Sequence, residues 1–172
     1  GIRDDVESRG LGDVYKRQAY YCAYYSIRAN AFDYEKMAMG RERLEYYIND
    51  YKAKKADGTI SNVEDDELKD MRIVQEMYAR GFEFVPIDIY KAKARSFQII
   101  DGKIMPSFKV ISKVGESAGE SIEIAARDGE FLSKDDLRQR ARIGQTVIEK
   151  LGELGLLDGM AESNQLSLFD VI

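Results

Sequence analysis

The chain contains no histidine, a single cysteine and only two prolines among its 172 residues. The absence of histidine excludes a histidine-dependent general base, a nucleophile activated by histidine and a His-containing zinc site. The lone Cys22 cannot form an internal disulfide, which is typical of a reducing cytoplasm. No run of about 18 apolar residues occurs, so the sequence predicts no membrane-spanning helix. Walker loops and Gly-x-Gly-x-x-Gly runs are absent as well.

The first 18 residues are expected to differ in origin from the rest. Residues 8–18 match the translation of a transposon-based sequencing adapter in one frame, and the adapter's last six codons, GATGTGTATAAGAGACAG, translate to residues 13–18. Gly1-Ile2-Arg3-Asp4 matches the outer primer of the same library, which leaves Asp5-Val6-Glu7 for the sample index. We therefore expect residues 1–18 to be adapter-derived and exclude them from fold reasoning. Ala19 is then expected to be an interior residue of a larger protein, and a genuine N-terminus is the alternative.

The remainder is long enough for one domain or two small ones, and the formal net charge of the chain is −5. We predict a mainly α fold with a small β-hairpin element. Hydrophobic spacing divides the chain into a helical segment at 19–81, a short β connector at 82–105, a tandem helix-hairpin-helix domain at 106–160 and a flexible tail at 161–172.

Three helices are predicted in residues 19–81. The first continues over residues 20–28. Asp33 is predicted to cap the second, and Ser61 with Glu64 forms a capping box for the third, which Gly81 ends. Apolar residues recur at helical spacing in the second and third helices: Leu44, Tyr47, Ile48 and Tyr51, then Leu68, Met71, Val74 and Tyr78.

Four tyrosines, Tyr20, Tyr21, Tyr24 and Tyr25, cluster in the first helix. Such a cluster can stack on nucleic-acid bases. We favour amphipathic packing instead, against partners that lie outside this chain.

The hydrophobic period changes to two after Phe84. Val85, Ile87 and Ile89 alternate with other residues, and Pro86 indicates an edge strand. Asp101-Gly102 is a hairpin turn signal between two further apolar stretches.

Residues 106–160 contain two glycine-centred turns between predicted helices. In the first, Lys113-Val114-Gly115-Glu116 precedes a helix over residues 117–127. In the second, Ser133 and Asp136 cap a helix over residues 134–140, and Arg142-Ile143-Gly144-Gln145 leads into a helix over residues 146–154. This is the pattern of two helix-hairpin-helix units in tandem.

A hairpin glycine lets the backbone approach a phosphate closely, and the free amides of the next helix donate to its oxygens. Such contacts hold a duplex without reading its sequence. Acidic residues are at least as numerous here as Lys and Arg, so electrostatic attraction has to come from Lys113, Arg140 and Arg142. A helical hairpin pair without a ligand is the alternative. The predicted DNA-binding residues are Lys113, Val114, Gly115, Glu116, Ser117, Arg140, Arg142, Ile143, Gly144, Gln145 and Thr146.

The tail carries apolar residues that a solvated segment has no reason to hold. Leu166, Leu168 and Phe169 follow a polar run at 161–164. A short apolar segment at the end of a flexible tail can bind in a pocket on another protein, where a few buried side chains contribute most of the affinity. Gln165-Leu166-Ser167-Leu168-Phe169 also resembles the pentapeptide with which bacterial DNA polymerases grip the sliding clamp. Folding of the tail back onto its own domain is the alternative.

Several stretches together carry a family resemblance. They are residues 23–29 (Ala-Tyr-Tyr-Ser-Ile-Arg-Ala), 81–84, 87–90, 97–102, 129–137 and 164–169. These stretches resemble the C-terminal end of the PolC-type DNA polymerase III alpha subunit of low-GC Gram-positive bacteria, with the first at the end of its fingers domain. The likeness spans about residues 19–169. At the first hairpin this chain has Ser112-Lys113-Val114-Gly115 where the family usually has Pro-Gly-Leu-Gly, which puts the strength of that phosphate contact in question.

The resemblance implies a replicative DNA-directed DNA polymerase as the intact parent, with a 3′–5′ exonuclease, Mg²⁺ as cofactor and a place in the cytoplasmic replisome. It implies that this segment holds primer-template duplex and tethers the enzyme to the sliding clamp, while other replisome subunits bind elsewhere. The metal-binding aspartates then lie outside the chain. We expect no catalytic residue, metal site or cofactor here, and no primer extension by the purified chain with magnesium and nucleotides. Measurable incorporation overturns that expectation.

Adjacent carboxylates occur at Asp65-Asp66-Glu67 and at Asp135-Asp136. Neighbouring residues on a helix point to different faces, and acidic side chains at a helix start oppose its dipole. We interpret both runs as capping features. Two other functions stay open: a free-standing accessory protein that binds DNA and the clamp, and a different helix-hairpin-helix enzyme such as a DNA ligase or repair nuclease, although no adenylation lysine motif or zinc-binding cysteines are visible.

Overall fold

A computed structural model describes residues 2–164, and the side chains of residue 10 and residues 12–164. The described part is mainly helical with one small antiparallel β-hairpin, so the predicted fold class is confirmed. None of its helices has the length and apolar character needed to cross a bilayer. In order, the elements are α1 (Ile2–Ile27), α2 (Tyr34–Met37), α3 (Arg41–Ala56), α4 (Asn62–Ala79), β1 (Gln98–Ile100), β2 (Lys103–Met105), a 3-10 turn (Phe108–Val110), α5 (Glu116–Ala126), α6 (Lys134–Ala141) and α7 (Gln145–Glu153).

Helix α1 continues without a break past residue 18, the last of the segment predicted to be adapter-derived. Gln18 is buried, and its side-chain amide donates to the carbonyl of Gly102 in the β-turn. The helix therefore gives no structural mark at the 18/19 boundary, and the origin of residues 1–18 stays a prediction.

Tyr21 and Tyr25 of the tyrosine cluster are buried in the core, so the interpretation as packing residues is confirmed for these two. The Tyr25 ring is fully buried, with its centroid 5.2 Å from that of Phe32 and 5.6 Å from that of Phe97. The expectation that these partners lie outside the chain is wrong, because residues 82–97 fold back onto α1. Tyr24 donates to Asp70 at 3.0 Å, and Tyr20 stays exposed.

The second predicted helix is two helices. Asp33 caps α2 as expected, since its carboxylate accepts from the amide of Lys36 at 3.0 Å. The chain then turns at Gly40, whose φ of +107° lies outside the helical region. The apolar repeat of Leu44, Ile48 and Tyr51 belongs to the separate helix α3 and is buried.

Helix α4 begins with the predicted capping box. Ser61 Oγ accepts from the Glu64 amide at 3.2 Å, and the Glu64 carboxylate accepts from the Ser61 amide at 2.9 Å. Hydrogen bonds from Lys54 and from Ser61 lower the pKa of Glu64 to about 2. Gly81, with φ of +84°, follows the helix end as predicted.

The predicted β-hairpin is confirmed, whereas the prediction of an edge strand at residues 85–89 is wrong. Gln98 pairs with Met105 and Ile100 with Lys103 across a turn in which Asp101 and Gly102 have φ of +50° and +73°. At the predicted strand 85–89, pairing stops after a single bridge between Phe84 and Ile104. Pro86 has no N–H to extend the ladder, and the Ile87 amide donates to the Tyr34 hydroxyl instead.

One hydrophobic core extends across the predicted segment boundaries at 81/82 and 105/106, with buried members from Tyr21 to Leu157. An ion pair adds a second link, because Lys150 on α7 is buried and its Nζ lies 2.7 Å from the Glu35 carboxylate on α2. The hydrogen bond to Glu35 raises the pKa of Lys150. The hairpin segment therefore shares its interior with the N-terminal helices.

Candidate nucleic-acid interface

The two predicted hairpins have the same backbone pattern. Each places a basic residue in the left-handed region, Lys113 with φ of +66° and Arg142 with φ of +52°. An apolar residue follows, and its side chain is buried: Val114 is 2% exposed and Ile143 is 8% exposed. Val114 and Ile143 therefore hold the hairpins on the core, and only their backbone can face a ligand.

The hairpin glycines are not required by the fold itself. Gly115 has φ of −65° and Gly144 has φ of −76°, which any residue can adopt. A Cβ added at either position meets no heavy atom of the described residues within 4 Å. Both glycines are exposed. What they supply is bare backbone next to open space, which suits the close approach of an external group.

The helices that follow the hairpins begin without a capping side chain. The N-cap residues are Gly115 and Gly144, and glycine has no side chain that could accept a hydrogen bond from the first amides of the helix. The amides ahead of the first intrahelical bonds have no partner within their own helix, and they sit at the positive end of the helix dipole. They belong to the predicted site residues Glu116 and Ser117 in α5, and Gln145 and Thr146 in α7.

Helix α6, which starts outside the hairpins, shows the contrasting arrangement. Ser133 accepts from the amide of Asp136 at 3.0 Å, as predicted for its N-cap. The Asp136 carboxylate accepts from Leu132 at 3.0 Å, one residue before the amide that a capping box uses. The amides of Lys134 and Asp135 donate to the carbonyls of residues 161 and 162. The amides of α6 are thus satisfied internally.

Two of the three predicted basic residues are exposed, and the third is bonded to other groups of the domain. Lys113 and Arg142 are exposed at the hairpins. The Arg140 guanidinium instead lies 4.6 Å from the Phe131 ring centroid and joins the end of α5 to α6. Its role in DNA binding stays a prediction, and its contacts favour a structural role. They are hydrogen bonds to the carbonyls of Ala125, Gly129 and Glu130 and an ion pair with Asp136.

Two basic residues near the first hairpin were missed by the sequence reasoning. The Glu116 carboxylate lies 2.7 Å from Arg95 and 3.1 Å from Lys109. These cations offset the negative charge of the acidic residue at the start of α5. No motif marks Arg95 in the sequence. The available signal was the pair Glu116 and Glu120 at (i, i+4) spacing, both of which contact Arg95.

The adjacent carboxylates serve ion pairs and helix starts. Asp65 pairs with Lys55, Asp66 with Arg28, and Glu67 with Lys36 at 2.9 Å. Among residue 10 and residues 12–164, whose side chains the structure describes, no group of three or more Cys, Asp and Glu side chains is placed to hold a metal ion.

The predicted clamp-binding residues Gln165, Leu166, Ser167, Leu168 and Phe169 lie outside the described residues. Up to Asn164 the chain follows the start of α6, where Ser133 donates to the Asn164 side chain at 2.5 Å. Residues 161, 162 and 164 are thus hydrogen-bonded to the start of α6.

A family model for the helix-hairpin-helix motif matches residues 81–166. The chain belongs to this family. The match begins at residue 81 and so includes the β connector together with both hairpins. The family's residues thus take in the hairpin glycines, the helix starts that follow them and the segment that carries Arg95.

The chain is also similar to DNA polymerase III PolC-type of several streptococci, so the expected resemblance is confirmed. It is 43% identical to the proteins of Streptococcus suis (strain 98HAH33) and Streptococcus pyogenes serotype M2 (strain MGAS10270), over 151 residues and 88% of this chain. The protein of Streptococcus pneumoniae serotype 2 is 42% identical over the same length. The chain spans 10% of the length of each relative.

Proposed function

We propose that the two hairpins hold duplex DNA by its phosphates, without reading its sequence. The observation that carries this proposal is the open space at Gly115 and Gly144, where neither conformation nor packing explains the missing side chain. A phosphate in that space can accept hydrogen bonds from the amides at the start of α5 or α7. Lys113 and Arg142 add charge on the same hairpins.

The similarity to PolC-type proteins supports a larger context for this binding. We propose that the chain works as part of a cytoplasmic DNA-directed DNA polymerase that carries its exonuclease, its Mg²⁺-binding aspartates and its other replisome contacts elsewhere. The role of the present residues is to keep primer-template duplex close to that active site. The accessory-protein alternative predicts the same DNA binding and differs in having no polymerase attached.

Replacement of Gly115 or Gly144 by valine is expected to weaken binding to every duplex alike. A β-branched side chain blocks the approach of a phosphate, and a hydrogen bond to a charged group is worth about 1.5–3 kcal/mol. The loss at one hairpin is therefore about tenfold or more in Kd. Fluorescence anisotropy with two duplexes of unrelated sequence, each at low and moderate salt, measures the effect.

Gly152→Val is the matched control, because a Cβ at Gly152 also meets no heavy atom of the described residues within 4 Å but this residue lies inside α7. Denaturant unfolding of all three variants separates binding from stability. Lys113→Ala and Arg142→Ala are expected to reduce the salt slope by about one each. Unchanged affinity in both hairpin variants, or a strong preference for one duplex sequence, contradicts the proposal.

We also propose that the tail binds the bacterial sliding clamp. The proposal rests on the sequence of residues 165–169, which is uncharged and carries three apolar side chains after a polar run. Gln165 is expected to hydrogen-bond at the mouth of the clamp pocket, with Leu166 at its rim and Leu168 and Phe169 in its apolar floor. Attachment at the start of α6 then gives the tether a defined origin on the DNA-binding domain.

A further inference from the structure

A groove of about 720 Å³ lies between residues 85–91 and residues 155–161. Leu132 on its lining is apolar and 75% exposed, beside the buried Phe131. Three aspartates, Asp88, Asp101 and Asp158, stand on its lining with one lysine, Lys91. An acidic lining disfavours the phosphates of a nucleic acid, whereas an uncharged apolar segment is tolerated. The apolar side chains that line it include Ile87, Ile89, Ile100, Phe131, Leu132 and Met160.

The last described residues run along the edge of this groove. The carbonyls of Ala161 and Glu162 accept from the first two amides of α6 at 2.8 and 3.1 Å. Asn164 is hydrogen-bonded to Ser133, the neighbour of Leu132 in the chain. The described chain therefore ends next to Ser133, one residue from the exposed Leu132.

We infer that the groove is the docking site of the chain's own residues 165–169, whose apolar side chains cover Leu132. An extended chain advances about 3.3–3.6 Å per residue, so Leu166 reaches about 7 Å from Asn164 and Phe169 about 17 Å. Both lengths keep these side chains within reach of a groove that begins at residue 161. The segment is uncharged, so no charge of its own is repelled by the acidic lining.

The inference concerns the same side chains as the proposed clamp contact but does not rest on it. A tail held in cis has a high effective concentration because it is tethered a few residues away. If the clamp also binds the tail, the two sites compete for Leu166, Leu168 and Phe169. The groove then shields the apolar tail when no clamp is present and lowers the apparent affinity of the full chain for the clamp.

The absence of tryptophan from the chain makes a specific test available. In the full chain carrying Phe169→Trp, the tryptophan is the single fluorophore of its kind. We expect a blue-shifted emission and an acrylamide quenching constant several-fold lower than in the free peptide 161–172 with the same substitution. Addition of Leu132→Asp to the chain is expected to restore the emission and quenching of the free peptide.

Ile124→Asp is the matched control, because Ile124 is an exposed apolar residue on α5 outside the groove lining. It is expected to leave the tryptophan protected. Equal quenching in the full chain and the peptide, or equal effects of the two aspartate variants, overturns the inference. Protection that disappears on dilution assigns the tail to a second copy and overturns docking in cis. Failure of the peptide to bind the clamp refutes only the proposed clamp contact, since the fluorescence result is obtained without the clamp.

Discussion

Phe32→Ala is expected to lower the free energy of unfolding by about 3–5 kcal/mol. Phe32 is 4% exposed, and its ring centroid lies 5.1 Å from that of Phe97, 5.2 Å from that of Tyr25 and 5.6 Å from that of Phe84. The substitution leaves a cavity where α1 meets the connector, and it removes three aromatic contacts at once. Urea unfolding followed by far-ultraviolet circular dichroism measures the loss.

The same substitution tests whether the hairpins depend on the N-terminal helices. Because one core extends from Tyr21 to Leu157, amides in α7 are expected to lose hydrogen-exchange protection together with those in α3 and α4. Val63→Ala on the exposed face of α4 serves as the control, with an expected change within about 0.5 kcal/mol. Undiminished protection of α7 in the Phe32 variant means instead that residues 106–160 are stable alone.

Local signals in the sequence predicted the parts of the fold that depend on a few neighbouring residues. The capping box at Ser61, the turn at Asp101-Gly102 and the helix end at Gly81 all appear where they were expected. Each is determined by the backbone conformation or hydrogen bonding of two to four adjacent residues. The break at Gly40 was missed because the apolar spacing on its two sides is compatible with one continuous helix.

Features that depend on tertiary contacts were predicted less well. The alternation at residues 85–89 does report burial of Ile87 and Ile89, but a strand also needs a neighbour with free backbone groups. The Ile87 amide bonds to Tyr34, a residue distant in sequence, which no local pattern indicates. The partners of Tyr25 were assigned outside the chain for the same reason.

The candidate interface shows both situations. Its glycines were predicted from the hairpin sequences, and a helix follows each of them in the structure. The left-handed conformation of Lys113 and Arg142 was not predicted. The contributions of individual charged residues to the interface could not be predicted from the hairpin sequences. Arg140 is adjacent to the second hairpin in sequence yet bonds to carbonyls at the end of α5, whereas Arg95 is distant in sequence and contacts Glu116. Which cation faces a ligand is decided by packing between segments.

Conversion of both Leu168 and Phe169 to alanine is expected to weaken clamp binding about a hundredfold. Burial of each side chain is worth roughly 1.5–3 kcal/mol, so the pair contributes about 3 kcal/mol or more, which corresponds to that factor in Kd. Titration of the peptide 161–172 against a bacterial sliding clamp measures it without the groove that competes in the full chain. Ser167→Ala is the matched control, because Ser167 is expected to matter least and Asp is tolerated there in related motifs. Equal binding by the natural and doubly substituted peptides refutes the clamp contact, and the apolar tail then requires another partner.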